Sequence, residues 1–111
     1  MPKNHKVLIL NHFPLLYKES PEKGLKRSEA LCDLIKKFPQ VNLYLHGHTH
    51  RHCIADLRQS GLPIILDSGS IIEKKTGSWN LIELHEKEFW VENFKIINRN
   101  WQSTSRSYFK V

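Results

Sequence analysis

Cysteine is scarce in this chain. Only Cys32 and Cys53 occur among 111 residues, and they do not form a C-x-x-C pair. That excludes a disulfide framework and makes a reducing, cytoplasmic setting the expected one. Long apolar runs are also missing, and none approaches the ~20 residues needed to span a bilayer. The opening MPKNHK has no apolar stretch of signal-peptide length. Acidic residues are outnumbered, 11 Asp and Glu against 17 Lys and Arg, which leaves a net charge of +6. Such a balance suits an anionic substrate, and equally an ordinary solvated basic surface. No RNP, KH or zinc-finger spacing accompanies it, so nucleic acid is not the expected partner. There is no internal repeat and no low-complexity segment, and the length allows at most one modest domain.

What is present is an alternation of apolar runs and one helical period. Lys6–Asn11 (KVLILN) reads as a strand buried on both faces, as in a parallel sheet. Pro14 ends it, and the polar stretch 17–27, with Pro21 and Gly24, reads as a loop. From Ser28, a reasonable helix cap, Leu31, Leu34, Ile35 and Phe38 fall on one helical face until Pro39 stops it. Val41–Leu45 is the next strand, so the spacing predicts a βαβ unit. Residues 64–67 (IILD) form a further strand, and 79–85 and 88–96 form two more, joined by a tight turn at His85-Glu86-Lys87. From Asn98 onward the sequence is polar and basic, and a mobile tail over 98–111 is expected.

Histidine carries the chemistry. The second strand runs directly into LHGHTHRH, in which His48 and His50 are two residues apart. In extended backbone such a pair points the same way, and neutral imidazole is the commonest metal ligand. Gly47, just before the pair, permits close backbone approach or a positive φ. His12 follows the first strand in Asn11-His12-Phe13-Pro14. Open α/β sheets place ligands at the carboxyl ends of their strands, so His12, His48 and His50 are expected to face one pocket.

This order of motifs resembles the C-terminal half of the calcineurin-like metallophosphoesterases: strand–N-H-x-P, helix, strand–G-H-T-H-R, strand–S-G-S, then a meander. The resemblance spans about Lys6 to Ile96. It implies an α/β chain, the C-terminal part (1–97) of a four-layer αββα sandwich with one βαβ unit followed by a β-meander. It implies that His12 and His48 ligate one metal and His50 a second, the two divalent ions being Mn, Fe or Zn. The implied reaction is hydrolysis of a phosphoester or phosphoanhydride in a phosphorylated small molecule or nucleotide, through a metal-bound hydroxide. The family's D-x-H, G-D-x-x-D and G-N-H-D/E motifs are absent. A missing N-terminal half, encoded upstream of Met1, is expected to supply them. The chain alone is then expected to be inactive, and to self-associate or bind that half.

Other readings stay open. Three histidines with one free coordination position would make a mononuclear zinc hydrolase. A non-catalytic basic binding module would need no metal. A histidine-triad hydrolase is disfavoured, because Gly47, Thr49 and Arg51 stand where that family has hydrophobic residues. No catalytic residue is assigned in this chain, though Arg51 is a candidate phosphate contact. His46 is expected behind the site, His52 in solvent and Cys53 as a small buried hydrophobe. Lys23, Lys26 and Arg27 are expected on a solvated loop face. Trp79, Phe89, Trp90 and Phe94 are expected in the sheet core.

Overall fold

The computed structural model describes residues 4–15, 27–47, 51–72 and 77–111. Within them the order is β1 (Val7–Leu10), α1 (Ser28–Lys36), β2 (Val41–His46), β3 (His52–Asp56), a 3-10 turn (Arg58–Ser60), β4 (Ile64–Ser68), β5 (Ser78–Leu84), β6 (Glu88–Ile97) and β7 (Asn100–Lys110). Sheet A has the order β1-β2-β4-β3 and sheet B the order β5-β6-β7. β1, β2 and β4 run parallel, while β3 returns antiparallel on β4.

Burial follows from this layering. β2 and β4 are central and covered on both faces, which is why they read as near-continuous apolar runs. Leu43, Ile64 and Leu66 turn toward Phe89 and Val91 of sheet B. Tyr44 and Ile65 turn the other way, onto Cys32 and Ile35 of α1. Deleting Phe89 or Leu66 to Ala would cost about 3–5 kcal/mol by ordinary core scaling.

Several expectations change here. β1 is an edge strand that alternates. Val7 and Ile9 pack under the helix, but Leu8 is part-exposed and Leu10 is 75% exposed, so β1 is not buried on both faces. On α1 the buried residues are Cys32 and Ile35, while Leu34 and Phe38 face solvent. Ser28 does not cap it: the cap position is Arg27, at φ 62, with no side-chain hydrogen bond. β3, unforeseen in the sequence, leaves Cys53 exposed rather than buried.

The polar stretch read as a tail forms an eleven-residue strand, β7, paired along β6. The two-residue turn Asn98-Arg99 joins them, both at positive φ, as a twisted hairpin requires. Ten register pairs hold β7 although little of it is buried, so backbone pairing rather than apolar content makes this strand. A register shift opposite Asn93/Phe94 leaves Thr104 over. Its Oγ1 donates to Oδ1 of buried Asn93 at 3.0 Å.

Glycine matters at Gly69 rather than at Gly47. Gly69 sits at φ 76, and an added Cβ would overlap Ser78 Oγ, whereas Gly47 is not at positive φ and a Cβ there would make only ordinary contacts. Gly69→Ala is therefore expected to lower stability by about 2–4 kcal/mol. Gly47→Ala should lower it by less than about 1 kcal/mol. Denaturant unfolding of both variants measures the contrast.

Candidate functional site

The carboxyl ends of β1, β2 and β4 open on one cleft of about 500 Å³ between the sheets. Asn11 and His12 line it from the end of β1, Gly47 from the end of β2, Ser68 from the end of β4, and Asn80 and Ile82 from β5. The backbone sets this arrangement. Asn11 N–H donates to Leu45 carbonyl at 3.0 Å, extending the parallel ladder by one residue. Asn11 Oδ1 accepts the Phe13 N–H at 3.0 Å, which turns the chain at His12. Tyr44 OH donates to the Phe13 carbonyl at 2.8 Å and holds that turn against the core. The His12 ring, exposed, stands edge-on to Phe13 at 5.0 Å.

Of the expected metal ligands, His12 is on the wall of this cleft. His48 and His50 lie outside the described residues, as do Lys23 and Lys26. Gly47, the last described residue before the pair, lines the same cleft. Arg51 is exposed, just before β3, and is not among the residues that line the cleft. Among the described residues no group of three His, Cys, Asp or Glu converges as a metal site.

Asp56 and Asp67, which follow the HGHTH run in the sequence, do not supply a bridging carboxylate. Asp67 is buried and alternates with Leu66 and Ser68, the residues that line the cleft, so it faces the helix side. There its Oδ1 accepts the Gly69 N–H at 2.9 Å and its Oδ2 lies 3.7 Å from His46 Nδ1. Asp56 is bound to Arg58, whose side chain donates to it at 2.9 Å and 2.8 Å and lowers its pKa. The described donors thus fit one imidazole ligand with room for a cation beside it. They do not by themselves fit a carboxylate-bridged pair of cations.

His46, expected behind the site, is among the residues lining the cleft, with its side chain nearly buried beside Asp67 and 6.1 Å from the Tyr44 ring. His52 does not lie in solvent. It is half-buried, Nε2 has no hydrogen-bond partner among the described residues, and burial, with Lys95 adding, pushes its pKa down. Two cleft residues escaped the sequence reading. Asn11 combines a turn role with a place on the cleft wall. Asn80 is fixed through sheet B: its Oδ1 accepts from Asn93 Nδ2 at 2.9 Å, and Asn93 also donates to the Trp79 carbonyl at 3.2 Å. With its oxygen taken, Asn80 has amide donors to offer an anion in the cleft. Only the alternation along β5 could have signalled it, and Asn80 sits there at an inward position opposite Asn93.

No protein family and no curated protein matches the sequence. Solved structures do match. Wild-type Vps29 from Entamoeba histolytica complexed with Zn2+ aligns with TM-score 0.54 at 16% identity, covering 81% of this chain and 50% of that one. A double mutant of the same protein aligns with TM-score 0.54 at 16% identity, over 82% of this chain and 51% of that one. Vps29 from Chaetomium thermophilum aligns with TM-score 0.53 at 14% identity, over 96% of this chain and 56% of that one. The chain therefore shares the fold of Vps29, a protein of calcineurin-like metallophosphoesterase fold, and spans about half the length of these neighbours.

If the Tyr44 hydroxyl holds the His12 turn, Tyr44→Phe should cost about 1 kcal/mol. The expected signature is a lower denaturant midpoint with an unchanged slope.

Proposed function

We propose that this chain is the histidine-bearing part of a metal-dependent phosphoesterase, with His12, His48 and His50 as metal ligands and Arg51 as a phosphate contact. One observation carries the reading. β1 and β2 run parallel, and their carboxyl ends bring His12, and the Gly47 that leads into His48, to the same cleft. Two facts support it further: a solved neighbour of the same fold was complexed with Zn2+, and the net charge of +6 suits a phosphorylated substrate.

A divalent cation, when bound, supplies Lewis-acid polarisation of a phosphoryl oxygen and an activated water. The chain's own residues do the remaining work. Asn11 fixes the turn that presents His12. Asn80, held by Asn93, donates to a phosphate oxygen. Leu45, Leu66 and Ile82 keep the inner wall of the cleft apolar, which strengthens each polar contact made there. The carboxylates of a two-metal centre come from a further segment carrying D-x-H, G-D-x-x-D and G-N-H-D/E. Such a segment packs on the side where Leu8, Leu10 and Leu84 are left open.

Zinc and manganese titration of the 111-residue chain tests the assignment. One cation is expected to bind weakly, and His12→Ala or the His48→Ala, His50→Ala pair should each reduce affinity by tenfold or more. Wild type with Mn2+ should hydrolyse an aryl phosphodiester no faster than that pair mutant. Unchanged metal affinity in both variants would sink the assignment. Tight binding of one Zn2+ with chelator-sensitive turnover would replace it with a mononuclear three-histidine hydrolase.

A further inference from the structure

The chain's positive charge is not evenly spread. From Asn93 to Val111 the sequence holds Lys95, Arg99, Arg106 and Lys110 and no acidic side chain. These residues form the end of β6, its turn and β7. At this end of sheet B large apolar side chains are exposed on both faces: Ile97 is 40% exposed and Trp101 41%. Trp101 stands edge-on to Trp79 at 6.4 Å, and Trp79 in turn stacks on Phe94 at 4.4 Å.

The β4–β5 connection arrives at the same end. Ser78 N–H donates to the Ser70 carbonyl at 3.2 Å, and Ile96 N–H to the Gly77 carbonyl at 3.1 Å. Next to Ser70 come Ile71 and Ile72, 62% and 82% exposed. The cleft opens close by, because Ser68, on its wall, accepts the Ser78 hydroxyl through its carbonyl at 2.7 Å.

We propose that this end of sheet B docks on an anionic lipid surface. Ile71, Ile72, Ile97 and Trp101 enter the interface, and Lys95 and Arg99 meet headgroup phosphates. The neighbouring cleft then meets a phosphorylated substrate at the membrane, a clause that rests on the phosphoesterase reading, whereas the docking itself does not.

Three physical points select this occupant. Exposed apolar clusters of this kind mark interaction surfaces. Tryptophan beside aliphatic side chains suits the boundary between headgroups and acyl chains, and Lys95 and Arg99 at this end complement an anionic leaflet. Single-stranded nucleic acid stacks its bases on free aromatic faces. Here Trp79 and Phe94 stack on each other, and three of the four exposed apolar side chains are isoleucines. A second copy would bring two sets of like charges together.

Flotation of the full chain with vesicles tests the proposal, in EDTA so that the outcome is independent of the metal site. Phosphatidylcholine vesicles are compared with vesicles containing about one third phosphatidylglycerol. Partitioning is expected to be roughly tenfold stronger on the anionic vesicles and to weaken with salt. Arg99→Gln and Ile72→Ser should each weaken it about fivefold, with thermal unfolding unchanged, while Tyr108→Ser at the opposite end of the sheet leaves it intact. Equal binding to both vesicles, or unaltered binding by both weakening variants, overturns the proposal. So does preferential binding of a single-stranded oligonucleotide, or an Ile72-dependent dimer in sedimentation with no vesicle binding.

Discussion

Leu43 and Tyr44, adjacent on β2, point into different cores. Leu43 meets Phe89 and Val91 of sheet B, and Tyr44 meets Cys32 and Ile35 of the helix while its hydroxyl holds the turn after β1. A register shift beside them skips Asn42, so that Val7 pairs with Val41 and Leu8 with Leu43. That extra residue is what lets Val41 pack with the helix and Leu43 pack between the sheets. The helix, sheet B and the position of His12 therefore all depend on the seating of one strand. Its neighbours on both sides are parallel, so three strand ends reach one edge and form a cleft there.

The cleft is asymmetric in its chemistry. One wall is apolar and well packed, while the polar groups come from strand ends and from Asn80, reached through the Asn93 network. Among the described residues the one deeply buried carboxylate near it, Asp67, is occupied with Gly69 and His46. Under the proposed reading, a phosphoesterase centre here would take its imidazoles from this chain and its carboxylates from a further segment. The open edge of β1, with Leu8 and Leu10 uncovered, lies beside that cleft, and the solved neighbours are about twice the length of this chain.

Sheet B divides its labour by face. Phe89, Val91 and Asn93 face inward, where the only buried polar group of the three is fully engaged with Asn80, Trp79 and Thr104. Trp79, Trp90 and Phe94 alternate with them and face outward, so the two tryptophans expected in the sheet core, and Phe94 with them, lie on its outer face. Arg106 lies over the Trp90 ring at 5.0 Å and reaches Glu92 at 3.4 Å, which covers the middle of that face. Among the described residues the turn end has no such cover, and its charged side chains, Lys95 and Arg99, are positive.

What the residues determined alone was local and periodic. The apolar runs of β2 and β4, the helix between Ser28 and Pro39, the β5–β6 hairpin and the place of His12 at the end of a strand are all legible, because burial on both faces, a 3.6-residue period and strand polarity leave marks in the order of residues. Tertiary structure decided what depends on distant partners. β7 exists because β6 offers it a backbone ladder, which no side-chain pattern encodes. β1 has one open face because no strand of sheet B covers Leu8 and Leu10, and alternation cannot be told from double burial in a run such as VLIL. Trp79 and Trp90 face outward because strand parity, set by Phe89 and Val91, outranks hydrophobicity at alternate positions. Asp67 is turned from the cleft by the same parity, so proximity in sequence to His48 and His50 did not make it a ligand.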